Sequence, residues 1–284
     1  MDKHLYHKNL GQIISYLAYE HVTFRRKASK IANHLRIPLV FADLDLVLAN
    51  ETSLLSKYYL HMGYLGLSLR SHSSPSQGPI YCDFISKKLN YRIKHGGGNG
   101  QALAKAIGVT GKCKPKVIDL TAGLGTDSFI LASLGCKILM LERNPIIYEL
   151  LYDGLARAVQ RATVNRELAC IMNHVNLTKI DALHYFAKLA PNNKFDVIYL
   201  DPMFDLPIRM AKVKKEMNSL HNIIGADNDA DKLLEKAMER AKYRVVVKRS
   251  KKSPNLANIK PNLVLGGKST RYDIYTVRRL PRIL

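Results

Sequence analysis

Asp201, Pro202 and Phe204 lie in the short segment of this sequence whose residue types indicate the most specific chemistry. The lone pair of an amine on an aromatic ring is delocalised, so a catalyst must hold and orient the amine before it attacks an electrophile. The Asp201 carboxylate and a backbone carbonyl near Pro202 can accept its two N–H groups, and Phe204 can stack on the ring. Proline fixes the turn and adds no competing N–H. The segment predicts a site that modifies a ring amine, although Asp-Pro also occurs in plain turns.

A glycine-rich turn supplies the second candidate site. A short apolar run ends at Asp119, and Gly123 and Gly125 precede a helical pattern, which is how α/β proteins build nucleotide pockets. A dinucleotide fingerprint would have a third glycine where Ser128 stands, so a nicotinamide cofactor is disfavoured. Asp119, the two glycines and then Glu142 after the next strand fit the order of an S-adenosylmethionine (SAM) pocket. Ionised carboxylates suit such a pocket because they accept hydrogen bonds from ribose hydroxyls.

Alternating strands and helices from residue 116 onwards position both motifs. The predicted strands cover 117–120, 137–141, 177–180, 195–200, 243–247, 262–265 and 272–277. This order predicts an α/β fold with a parallel, doubly wound sheet that is finished by antiparallel strands at one edge. Asp119 lies near the end of the first of these strands, and Glu142, Asp181 and Asp201 each directly follow a later one.

The first 95 residues predict a separate, small α+β domain. Apolar spacing indicates helices over 9–22 and 27–35, and alternation indicates strands near 43–48, 64–70 and 79–85, with antiparallel pairing. Residues 96–115 are predicted to form a glycine-rich linker and a short helix, and residues 116–284 a second, larger domain. The glycines at 96–98 suit either a backbone nest for a phosphate or a hinge.

The charge is concentrated at the two ends of the chain. The net charge is +21, and residues 1–115 and 241–284 contribute +10 and +11, whereas residues 116–240 are balanced. A neutral middle between basic flanks is typical of a protein that holds a polyanion and acts on it; a general lysine bias for solubility is the alternative. Candidate phosphate contacts are Arg92, Lys94, Lys248, Arg249, Lys251, Lys252, Arg271, Arg278 and Arg279.

Other site types have little support. Cys82, Cys113, Cys136 and Cys170 are widely spaced and show no zinc motif, so we expect reduced core thiols and no metal. No apolar run has the length of a membrane span, and the start of the sequence lacks the apolar region of a signal peptide. We therefore expect a cytoplasmic protein that does not bind membranes.

Several motifs together resemble the RsmJ family of small-subunit rRNA guanine-N2 methyltransferases. The segment at 201–204 resembles the [DNS]-P-P-[FYW] signature of amine-modifying methyltransferases. The family resemblance covers roughly residues 79–277 and is weak over the first 78. It is carried by the segments 83–84, 92–94, 96–98, 119–127, 140–145, 153–157, 199–204, 214–217, 245–249 and 271–275.

This resemblance implies a class I SAM-dependent methyltransferase fold, Rossmann-like, for residues 116–284. It also implies methyl transfer from SAM to N2 of one guanosine in 16S rRNA, at position 1516, with the rRNA or the small ribosomal subunit as partner. It also implies SAM contacts at Thr126, Asp127, Glu142, Arg143, Asp181, Ala182 and Asp201. Position 126 is often Arg in the family, so only a backbone contact is expected from the Thr. The implied reaction is an SN2 transfer in which positioning supplies most of the catalysis.

Three other functions remain open on the residues alone. One is an amine methyltransferase that acts on adenine N6 in DNA or RNA, or on a protein glutamine; the basic charge favours nucleic acid. A second is a non-catalytic RNA-binding module, which the intact Asp201-Pro202 and Glu142 disfavour. A third is a nicotinamide enzyme.

Overall fold

The computed structural model describes residues 13–42, 56–72, 78–95, 98–202, 228–266 and 270–284. Contacts divide them into a smaller unit, within 1–82 and 145–157, and a larger unit, within 83–144, 158–202 and 228–284. These units are not the continuous segments that the sequence predicts. Residues 83–95 group with the larger unit and 145–157 with the smaller, because contacts join segments that are distant in sequence. The domain boundaries predicted from the sequence, after residue 95 and before residue 116, stay a prediction.

The larger unit contains a seven-stranded sheet with the order β10-β11-β9-β8-β5-β6-β7. Its strands are β5 (Val117–Asp119), β6 (Ile138–Glu142), β7 (Val175–Lys179), β8 (Phe195–Leu200), β9 (Ala241–Ser250), β10 (Leu263–Gly266) and β11 (Thr270–Thr276). Strands β5 to β9 pair in parallel, and β11 is antiparallel to both β9 and β10. The predicted Rossmann-like sheet with antiparallel pairing at one edge is confirmed.

Helices precede and connect these strands. They are α2 (Lys87–His95), α3 (Ala102–Ile107), α4 (Thr126–Ser133), α5 (Pro145–Ala162), α6 (Arg166–Met172), α7 (Ala182–Lys188) and α8 (Ala230–Arg240). The first part of α5, up to residue 157, belongs to the smaller unit. Strand β5 is buried along its whole length, as are the last four residues of β8, as in parallel sheets covered on both faces. Ile198, Leu200, Val245 and Val247 share one core cluster with Phe186 of α7 and residues of α8.

The smaller unit has a four-stranded sheet with the order β2-β1-β3-β4. Its strands are β1 (Ile14–Tyr19), β2 (Leu39–Phe41), β3 (Tyr58–Gly63) and β4 (Gly66–Ser71), and α1 spans Arg25–Leu35. Strand β1 pairs in parallel with β2 and β3, and only β3 and β4 are antiparallel. The prediction of antiparallel pairing throughout is therefore wrong for β1.

Two secondary-structure predictions for this unit are also wrong. Ile14–Tyr19 is a strand and not part of a helix; five of its six residues are buried, which removes the alternation that would have marked it. The predicted strand at 79–85 is reduced to one bridge between Leu69 and Ile80. The helix near 27–35 is confirmed as α1, and the strand near 64–70 as β4. The predicted strand at 43–48 lies outside the described residues.

Asp153 lies in the first part of α5 and contacts two other segments of the smaller unit. Its side chain is 1% exposed and pairs with Lys27 of α1 and with Arg157 one helical turn later. It also accepts the backbone N–H of Leu67 at 3.0 Å. Gly154 lies so close to Cys82 that an added Cβ would stand 2.5 Å from the Cys82 Cβ. These contacts give the segment 153–157 a structural role.

The cysteines differ from the expectation in one case. Cys82, Cys113 and Cys136 are buried thiols, but Cys170 is exposed on α6. No group of three metal-ligating side chains occurs among the described residues. In the same part of the chain, every helix is too short or too polar to cross a membrane.

Candidate active site

The glycine-rich turn lies at the carboxyl end of β5. Gly123 and Gly125 have φ values of 55° and 72°, in the left-handed region that favours glycine. Gly125 is the N-cap of α4, so the unpaired N–H groups of the first turn of this helix begin at Thr126, which is exposed. The nearest atom to a Cβ added at Gly123 is the Thr121 carbonyl oxygen, 4.0 Å away. The backbone here is open to a close-approaching ligand.

Asp119 is buried beneath this turn and is only 2% exposed. Its carboxyl group accepts the Ser128 hydroxyl at 2.6 Å and the Thr121 N–H at 3.1 Å. Burial raises the pKa of Asp119 to about 7, although both hydrogen bonds oppose the rise. Ser128 therefore has a positive role: it ties the start of α4 to the end of β5, which a glycine at this position could not do.

Glu142 ends β6 beside the turn. Its two carboxylate oxygens accept the backbone N–H groups of Gly123 at 2.9 Å and Asn144 at 2.7 Å. These bonds fix the orientation of a carboxylate that is 6% exposed. Each carboxylate oxygen has two acceptor positions, so hydrogen bonds to the backbone are compatible with hydrogen bonds to ligand hydroxyls.

Arg143, Asp181 and Asp229 form a neighbouring ion-pair group. The Arg143 guanidinium lies 2.6 Å from Asp229 and 3.3 Å from Asp181. Asp181 is also the N-cap of α7, where it accepts the His184 N–H at 3.0 Å. Ala182, the first residue of that helix, is buried. The structure thus brings the predicted residues Arg143, Asp181 and Ala182 together at the ends of β6 and β7.

Lys248 connects two of the predicted acidic residues. Its ammonium group lies 2.8 Å from Asp127 Oδ2 and 2.8 Å from Asp201 Oδ2. Asp127 also accepts the Tyr199 hydroxyl at 2.8 Å and is 3.4 Å from Arg92. Burial alone would raise the pKa of Asp127, but the charge of Lys248 and these hydrogen bonds outweigh it and hold that pKa below its ordinary value.

Asp201 directly follows β8, next to the glycine-rich turn. Its backbone N–H donates to the Thr121 hydroxyl at 2.7 Å, which fixes the end of β8 against the end of β5. Its side chain is 40% exposed, whereas Pro202 is buried. The other predicted catalytic residue, Phe204, lies outside the described residues, as do Gly96, Gly97 and the segment 214–217.

The predicted phosphate contacts fall into two groups. Arg92, Lys94, Lys251, Lys252, Arg278 and Arg279 have exposed side chains. Arg249 is 4% exposed and donates to the Pro254 carbonyl at 2.6 Å, so it is a core residue. Arg271 pairs with the buried Asp273 and donates to carbonyls of the loop 251–254. These two arginines, together with Lys248, are already engaged within the protein and are corrected to internal roles.

Sequence reasoning missed four contributors: Thr121, Tyr199, Asp229 and the internal role of Lys248. A signal for Lys248 is present in the strand pattern. Leu200 of β8 pairs with Val247 of β9, so the next residues, Asp201 and Lys248, emerge side by side at the same edge of the sheet. A carboxylate and an ammonium at the ends of adjacent parallel strands are well placed for an ion pair.

Comparisons with known proteins agree with this architecture. Residues 43–277 match the sequence model of a family described as "Putative SAM-dependent methyltransferase". The ribosomal RNA small subunit methyltransferase J of Cellvibrio japonicus is 44% identical over 264 residues, which cover 87% of this chain and 99% of the relative. That of Coxiella burnetii is 41% identical over 252 residues, 89% of this chain and 92% of the relative. The chain belongs to the methyltransferase J family.

A solved structure supports the same assignment. The crystal structure of a SAM-dependent methyltransferase from Neisseria gonorrhoeae matches with a TM-score of 0.65 and 30% identity, and the match covers 92% of this chain and 96% of that one. This methyltransferase uses SAM as its methyl donor. The residues present fit that donor: left-handed glycines allow close approach of the ligand, and the oriented Glu142 carboxylate suits ribose hydroxyls. The nicotinamide alternative is thereby set aside.

Proposed function

We propose that this methyltransferase modifies the exocyclic N2 amine of a guanosine in 16S rRNA of the small ribosomal subunit, at position 1516. The observation that carries the proposal is the juxtaposition of Asp201-Pro202 with the glycine-rich turn, through the Thr121–Asp201 hydrogen bond. The names of the two relatives, which are ribosomal RNA small subunit methyltransferases, support the choice of substrate. The resemblance of the motifs to the RsmJ family supports guanine N2.

The proposed site has two parts. SAM is held by Gly123, Gly125 and the backbone of Thr126. Asp119 lies beneath this turn, and Glu142 lies beside it. Asp127, Arg143, Asp181 and Ala182 complete this part; Asp127 acts through its contacts with Lys248 and Tyr199, and Arg143 through its pairs with two carboxylates. SAM supplies an activated methyl group on its sulfonium centre.

In the second part, the Asp201 carboxylate accepts one N–H of the guanine amine, and a backbone carbonyl near Pro202 accepts the other. These hydrogen bonds direct the nitrogen lone pair at the methyl carbon. The N–C bond then forms as the S–C bond breaks, which gives S-adenosylhomocysteine, and the amine proton leaves to Asp201 or to water. Phe204 stacks on the base. Because the methyl group is already activated, orientation accounts for most of the rate.

The exposed cations of the larger unit hold the RNA backbone in this proposal. They are Arg92, Lys94, Lys251, Lys252, Arg278 and Arg279. Contacts with phosphates release counterions, so affinity for rRNA should fall steeply as salt increases. We place the reaction in the cytoplasm, with the rRNA or the assembled subunit as substrate.

Asp201→Ala tests the role of the carboxylate. The variant should still bind SAM, measured by calorimetry, but should not transfer labelled methyl groups to 30S subunits that lack the modification. Glu239→Ala is a matched control because Glu239 is an exposed carboxylate on α8 that pairs only weakly with Lys236. Methyl transfer by Asp201→Ala at the rate of the control would refute the assignment.

A further inference from the structure

Lys248 is a charged residue that has no role of its own in the proposed methyl transfer. It is placed on β9, and its side chain is 24% exposed, far less than expected for a lysine that binds phosphate at the surface. Its ammonium group is 2.8 Å from each of two carboxylates, Asp127 and Asp201. One cation between two anions is therefore built into the edge of the sheet at which Asp201 lies.

The parallel register of β8 and β9 brings Lys248 to this point. Leu200 pairs with Val247, so Asp201 and Lys248 follow at matching positions on neighbouring strands. On its other side, Lys248 pairs with Tyr272 of β11, which is buried. The strand that carries the lysine is thus held between two paired strands, and the ammonium group reaches Asp201 from a rigid support.

The two carboxylates that Lys248 contacts differ in their surroundings. Asp127 is 11% exposed and is held by the Tyr199 hydroxyl at 2.8 Å, whereas Asp201 is 40% exposed. Asp127 therefore acts as the buried anchor of the lysine, and Asp201 is the partner that can meet a substrate. The ammonium uses one of about four acceptor positions of the Asp201 carboxylate, which leaves the others to its remaining partners and to substrate.

We propose that Lys248 is a positioning residue that holds the Asp201 carboxylate, with Asp127 as its anchor, in the orientation that accepts the target amine. This inference rests on the proposed function, because it needs Asp201 to meet the amine. A carboxylate at the end of a strand can rotate about its side-chain torsions. The lysine contact restricts that rotation and leaves the carboxylate within reach of a substrate.

The charge state of the group agrees with this role. Burial lowers the pKa of Lys248, but Asp201 and Asp127 outweigh this effect and raise it above its ordinary value, so the lysine stays protonated. Burial keeps the Tyr199 pKa well above its ordinary value, so the hydroxyl stays a donor. Among the described residues, Lys248 faces the carboxylates of Asp127 and Asp201. The other titratable or charged groups near these three residues are Asp119, Tyr199, Tyr272 and Arg92.

Lys248→Met tests the proposal because it removes the charge and keeps a side chain of similar length. Misplacement of a reacting group by about 1 Å costs on the order of 100-fold in rate, so kcat for methyl transfer to 30S subunits should fall about 100-fold. The affinity for rRNA should change less than threefold. The kcat is measured at saturating SAM, because Asp127, which belongs to the SAM part of the proposed site, also loses its contact with Lys248. Lys248→Arg, which can still bridge two carboxylates, should recover at least about tenfold of the loss.

Lys242→Met is the matched control. Lys242 lies six residues earlier on the same strand, is 48% exposed, and is 3.8 Å from its carboxylate partner, Asp196. The Lys242→Met variant removes the same unit of charge, and its kcat should stay within twofold of that of the wild type. The acid limb of the pH–rate profile should move to higher pH in Lys248→Met only, because loss of a nearby cation disfavours ionised carboxylates.

The outcomes distinguish failure of the proposed function from failure of the positioning role of Lys248. If wild type does not methylate the subunit, the proposed function fails. If wild type is active and Lys248→Met has unchanged kcat but weaker rRNA binding with a shallower salt dependence, Lys248 is a phosphate contact and the positioning role is refuted. Should Lys248→Met not fold, Asp127→Asn removes the anchor charge; a kcat within twofold of wild type for that variant would equally refute the proposal.

Discussion

The buried carboxyl group of Asp119, which is 2% exposed, should make the free energy of unfolding depend on pH. Burial raises its pKa to about 7, from an ordinary value of 3.8. At pH values between these two pKa values, Asp119 is protonated in the folded chain and ionised in the unfolded chain. The free energy of unfolding therefore falls as pH rises through this window.

The magnitude follows from the shift. Each pKa unit corresponds to about 1.4 kcal/mol, so a rise of about three units gives roughly 4 kcal/mol between pH 4 and pH 7.5. Asp119→Asn removes this titration. The amide oxygen can accept the Thr121 N–H, and the amide nitrogen can donate to the Ser128 hydroxyl oxygen, so both existing contacts have a replacement.

The assay is urea unfolding of the SAM-free chain at several pH values, with wild type and Asp119→Asn compared at each. The stability of the Asn variant relative to wild type should increase by about 4 kcal/mol as pH rises from 4 to 7.5. Glu239→Gln, at an exposed position, should show no such trend. A difference between the Asn variant and wild type that stays constant within about 1 kcal/mol over this range would show that Asp119 does not titrate with a raised pKa.

Three further outcomes are expected. Ser128→Ala should lower the free energy of unfolding by about 1–3 kcal/mol in urea titrations, since it leaves the buried Asp119 without one donor. The double variant Lys251→Met, Lys252→Met should reduce the slope of log affinity for rRNA against log salt by about 2 in filter binding; an unchanged slope would exclude both lysines from the interface. Arg271→Lys should lower the thermal midpoint, because one ammonium cannot replace the forked contacts to Asp273 and the loop 251–254; an unchanged midpoint would contradict this role.

The sequence predicted the larger unit well because its signals are local. Strands β5, β6 and β8 are short, mainly apolar runs that end in or just before an acidic residue, and Gly123 and Gly125 mark the turn after β5 by their conformation. Asp119, Glu142 and Asp201 could be placed at one edge of the sheet because parallel strands end at the same edge. These features require no knowledge of which strands are neighbours.

The errors arise where pairing decides the outcome. Ile14–Tyr19 is buried on both faces, so its apolar residues fit a helical spacing as well as a strand. Arg249 and Arg271 were counted as surface charges because sequence shows their charge but not their partners. The pairing of β9 with β8 and β11 determines that Lys248 meets Asp201 and that Arg271 lies opposite Arg249.

The proposed reaction is the transfer of a methyl group from SAM to N2 of a guanosine in 16S rRNA. The most direct test incubates wild-type enzyme and labelled SAM with unmodified 30S subunits and, separately, with naked 16S rRNA, and then maps the product by nuclease digestion and mass spectrometry. We expect one labelled N2-methylguanosine at position 1516 in at least one of the two substrates. Label on adenine N6, or no label in either RNA while SAM binding is intact, would contradict it.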